Sequence, residues 1–66
     1  MKTIFTQEVI EIKTKSYNEN NVYIELMEQN VVNGEMVEES KEIIDVLTKE
    51  NARIRKELAD VGIILI

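Results

Sequence analysis

The sequence predicts a small α+β domain in the order ββ(β)αβ: an antiparallel hairpin sheet packed with one long amphipathic helix and a short apolar C-terminal strand. Three observations predict it. The segment from Thr3 to Lys15 is rich in β-branched residues, with Ile10, Ile12 and Thr14 at strand spacing on one face. From Ile44 onward, apolar residues recur at alternating three- and four-residue spacings, the period of a helix face. The last four residues, Ile63 to Ile66, are apolar without alternation, as in a strand buried on both faces.

In the first strand, Thr3 to Lys15, Ile10, Ile12 and Thr14 share one face, with Val9, Glu11 and Lys13 on the other. Tyr17-Asn18-Glu19-Asn20-Asn21 supplies a polar turn, because Asn tolerates left-handed backbone and bonds locally. Val22 to Val32 is then the second strand, with Ile12 opposite Ile24 and Ile10 opposite Leu26. Asn33-Gly34 suits a tight hairpin turn leading into a short third strand, Met36 to Glu39. The rival reading makes Asn33 a helix N-cap, since Met36 and Val37 extend the later apolar stripe backwards. Ser40 is the expected N-cap of the long helix, and Gly62 the left-handed residue that ends it.

Within 66 residues there is room for one domain, residues 1–66, and such a chain buries only about 60% of its unfolded surface. Disulfides, metals and oligomerisation are the usual compensations. With neither Cys nor His in the sequence, oligomerisation is the expected one, and a reducing cytoplasm the expected location. The apolar run after Met1-Lys2 stops at Phe5, too short for a secretion signal, and Ile63 to Ile66 is too short to span a bilayer, so neither targeting nor membrane association is expected.

The helix carries a heptad seam: Ile44, Asn51 and Leu58 at one core position, Leu47, Ile54 and Val61 at the other. Asn51 suits the polar position that fixes register in a two-stranded coil; Glu50 and Arg55 would meet across a parallel dimer, while the helix's early acids and late bases suit an antiparallel one. The alternative lays this helix on its own sheet with Asn51 at the rim. A homodimer through Ile44, Leu47, Asn51, Ile54 and Leu58, assisted by Ile63, Ile64, Leu65 and Ile66, follows from the first reading.

Thirteen acidic against eight basic residues disfavours direct nucleic-acid binding. Glu19, Glu25, Glu28, Glu35, Glu38, Glu39, Glu42 and Asp45 face only Lys41 over the same stretch. Such a surface fits a basic protein partner, including the DNA-contacting face of a nucleic-acid-binding protein, although acidic residues also serve solubility alone. Glu38, Glu42 and Asp45 on one helix face are better read as solvated than as a cation site, because the loop of a calcium-binding motif is missing.

Catalysis has little material. Without His or Cys the common general bases and thiol nucleophiles are gone, and Ser16 or Ser40 would need a pocket. No glycine-rich phosphate loop occurs, and no cofactor is expected. Tyr17 is open to two roles, exposed recognition or packing on the hairpin edge. The functional expectation is a small acidic homo-oligomer, not an enzyme, that regulates or inhibits a basic partner by occupying its charged surface. The alternatives are an oligomer that sequesters a small ligand such as a nucleotide, and a purely structural assembly subunit.

Overall fold

Thr6 opens the first helix. Its hydroxyl accepts a hydrogen bond from the Val9 amide at 3.2 Å, satisfying one of the free N–H groups of the first turn. From there α1 runs Gln7–Asn33 and α2 runs Val37–Asp60, packed antiparallel on each other. The computed structural model describes residues 5–65, a rod of 44 × 19 × 17 Å.

Two glycines punctuate the chain in the same way. Gly34 adopts φ 73°, and the amides of Gly34 and Glu35 bond back to the carbonyls of Val31 and Asn30 at 3.2 and 2.8 Å. Gly62 adopts φ 88°, with the amides of Gly62 and Ile63 bonded to Ala59 and Leu58 at 3.0 and 2.8 Å. These paired bonds satisfy the last carbonyls of a helix, and the positive φ they require favours glycine.

The ββ(β)αβ expectation is therefore corrected: among the described residues there is no strand, and the protein is a helical hairpin rather than an α+β domain. From Gln7 onward, the expected strands Thr3 to Lys15 and Val22 to Val32, and the Asn-rich turn between them, are one continuous helix. The alternation of Ile10, Ile12 and Thr14 coexists with a longer pattern, Ile10, Lys13, Tyr17, Asn20, Ile24, Met27 and Val31, spaced three and four apart. All seven are buried or half-buried against α2. Intrinsic β preference spans only a few tenths of a kcal/mol per residue in a helix, so burial along a whole face outweighs it. Thr14 adapts further by donating its hydroxyl to the Ile10 carbonyl at 2.8 Å.

The short strand Met36 to Glu39 is also corrected. Val37 begins α2, preceded by Met36 in a left-handed conformation at φ 45°. The Ser40 amide bonds to the Met36 carbonyl at 2.9 Å, so Ser40 is not the cap. It is instead almost wholly buried on the α2 seam.

The C-terminal strand of Ile63 to Ile66 is corrected as well. Residues 63–65 form an irregular tail, and Ile66 lies outside the described residues, as do residues 1–4. Ile63 and Leu65 pack with Phe5 and Ile10 around the buried cluster of Tyr17, Ile54 and Leu58. Each such side chain contributes about 1.5–3 kcal/mol when fully buried. The core is thus concentrated at the open end of the hairpin, away from the turn.

Candidate interaction surface

The seam residues expected at an oligomer interface face α1 of the same chain. Asn51, Ile54 and Leu58 are buried there, and Ile44 and Leu47 are half-buried. Asn51 is the polar centre of the hairpin. Its amide donates to the Tyr17 carbonyl at 3.3 Å and to Asn21 Oδ1 at 2.8 Å, while its Oδ1 accepts from Asn20 Nδ2 at 2.9 Å. The polar cluster that suggested a turn is therefore the partner set of Asn51. A buried amide with its donors and acceptor satisfied sets helix register, because a shift would strand polar groups in the seam.

Charged groups border this layer. Lys13 meets Glu57 at 3.2 Å and lies 5.0 Å from the Phe5 ring centroid. Arg55 donates to the Tyr17 hydroxyl at 2.7 Å and lies over its ring, so Tyr17 packs inside and Arg55 reaches across the hairpin. Glu50 bonds Arg53 one turn along its own helix at 2.6 Å, and this carboxylate raises the guanidinium pKa above its usual value. Glu50 and Arg55 thus have partners within the chain.

All eight acidic residues singled out from the sequence, Glu19, Glu25, Glu28, Glu35, Glu38, Glu39, Glu42 and Asp45, are exposed. They are unevenly distributed over the rod. Among the described residues the turn half, 21–50, holds eight acidic against two basic residues, and the open half holds five against five. Of the two bases, Lys49 bonds Asp45 at 3.0 Å on its own helix. Among the described residues no group of three or more His, Cys, Asp or Glu is arranged to hold a metal ion.

Sequence reasoning missed a second set of residues. Ile12, Val22, Tyr23, Leu26 and Val32 of α1 are more than half exposed, as are Met36, Val46 and Ile64. The signal lay in the spacing: Val9, Ile12, Ser16, Glu19, Tyr23, Leu26 and Asn30 form another heptad stripe, one residue out of step with the seam. One residue is about 100° of rotation, so this stripe lies on a separate face of α1.

An open groove of about 500 Å³ runs beside the Asn51 layer, lined by Tyr17, Asn21, Ile24, Thr48, Ala52 and Arg55 among others. Among the described residues no buried side-chain polar atom lacks a hydrogen-bond partner. Among them, too, no helix is long and apolar enough to cross a membrane. In comparisons with known proteins, neither a family model, nor a curated protein, nor a solved structure matches the chain.

Proposed function

We propose that this chain is a non-enzymatic protein-interaction module of the cytoplasm that lays its acidic turn half on the basic surface of a partner protein and regulates or inhibits the partner by occupying it. The observation that carries this reading is the segregation of charge along the hairpin. Eight carboxylates crowd the turn half against Lys41 and Lys49. Like charges held on a rigid pair of helices create a local potential that a single mobile chain would not, and that potential steers a basic surface into place. A basic nucleic-acid-binding face is one surface of the required sign.

The test compares immobilised wild-type chain with a Glu38→Gln/Glu42→Gln/Asp45→Asn variant. Basic proteins retained by the wild type, released steeply between about 0.05 and 0.5 M salt and lost from the variant, are the expected result. Retention indifferent to salt and to the substitutions would exclude an electrostatic docking surface.

A further inference from the structure

We infer that the outward face of α1, the stripe through Ile12, Ser16, Tyr23 and Leu26, is the docking surface for a second copy of this chain, bound antiparallel so that two hairpins make a four-helix bundle. The inference does not rest on the acidic docking surface: Tyr23 and Leu26 lie in the turn half, but the carboxylates substituted in the docking test, Glu38, Glu42 and Asp45, are on α2.

The first argument is area. The chain exposes 5307 Å², whereas a compact monomer of its 7.7 kDa exposes about 4,300 Å². The excess of about 1,000 Å² is close to the roughly 800 Å² that each partner loses in a stable interface. The second argument is the distribution of apolar side chains. Only Tyr17, Ile54 and Leu58 are buried hydrophobics among the described residues, while Ile12 is 64% exposed and Tyr23 and Leu26 are each 54% exposed. A helix with apolar residues on two faces is covered on both, and a two-helix hairpin covers only one.

Orientation follows from charge and register. Parallel packing would place one acidic turn half beside the other, whereas antiparallel packing places it beside an open half whose described residues carry five acidic and five basic groups. A two-fold axis beside Glu19 then sets Ile12 against the second copy's Leu26, and Ser16, a small residue, against its Tyr23. Glu19 itself lies near the axis with Lys15 at 3.9 Å, which offsets the approach of two carboxylates.

The absence of cysteine from the sequence makes the test direct. Solution mass is measured by light scattering, and Ile12→Cys and Leu26→Cys chains are oxidised separately and mixed, with Thr48→Cys as a control on the other side of the hairpin. These positions are all exposed, so the substitutions leave the seam intact. The expected result is about twice the 7.7 kDa chain mass, with efficient cross-linking only between Ile12→Cys and Leu26→Cys chains. A monomer at every concentration overturns the proposal. So do cross-links within the separate Ile12→Cys and Leu26→Cys samples, which would mean parallel packing, and a dimer that cross-links only through Thr48→Cys, which would mean another face.

Discussion

The two helices of this hairpin are similar in length but differ in how they distribute apolar residues. On α2 the stripe Val37, Ser40, Ile44, Leu47, Asn51, Ile54 and Leu58 faces α1, and most of the remaining circumference is charged. On α1 the seam from Ile10 to Val31 is accompanied by a second row, about 100° round the helix, in which Ile12, Tyr23 and Leu26 are exposed and Val9 and Ser16 half-buried. A single amphipathic face specifies one neighbour, and two faces specify two. Thus α2 directs nearly all its large apolar residues at α1, Val46 excepted, whereas α1 keeps Ile12, Val22, Tyr23, Leu26 and Val32 exposed as well.

That contrast breaks most readily at the buried end of the seam. Leu58→Ala removes a fully buried side chain and is expected to cost about 3 kcal/mol, read as a lowered urea midpoint. Ile24→Ala, half-buried on the same seam nearer the turn, should cost less than half as much. Equal losses would mean that the core extends evenly along the rod.

Asn51→Ala comes next, with an expected cost of about 2 kcal/mol, because Asn20 and the Tyr17 carbonyl lose their partner. A double-mutant cycle with Asn20→Ala measures the shared part, and strict additivity would count against a coupled network. At the helix ends, Gly34→Ala and Gly62→Ala are each expected to cost about 1 kcal/mol. Open space surrounds both positions, so the penalty is that of the backbone conformation. Thermal midpoints of the two variants should fall by similar amounts. The smallest effect is a gain: Met36→Gly should stabilise the hairpin by about 1 kcal/mol or less, by relieving a left-handed non-glycine residue in the turn. Unchanged denaturation of that variant would show that the turn relaxes at no cost.

Legibility in the sequence followed the same contrast between helices. The seam of α2 and its end at Gly62 could be read because one period dominates the window, but its start at Val37, three residues before the expected cap at Ser40, could not. The exposed acidic run could be read because charges declare themselves without a fold. α1 was masked by β-branched residues, by two apolar rows that together imitate alternation, and by an Asn cluster with turn chemistry. Thr6, three residues before Val9, was the available sign of a helix start.

The amino-acid pattern alone established a highly charged, acidic chain without cysteine or histidine, a strongly amphipathic helix ending at Gly62, and a reversal at Asn33-Gly34, read there as a strand turn rather than a helix end. These depend on local chemistry and on one helix face, and no distant residue is needed to see them. Only the tertiary structure decided that Asn20 and Asn21 serve Asn51, that α1 is helical throughout, and that the heptad seam closes within one chain. Those outcomes rest on contacts between residues some thirty positions apart in sequence. Burial and hydrogen-bond satisfaction across that separation override local preference, because a whole helix face gains from packing while each unfavourable residue costs only a few tenths of a kcal/mol.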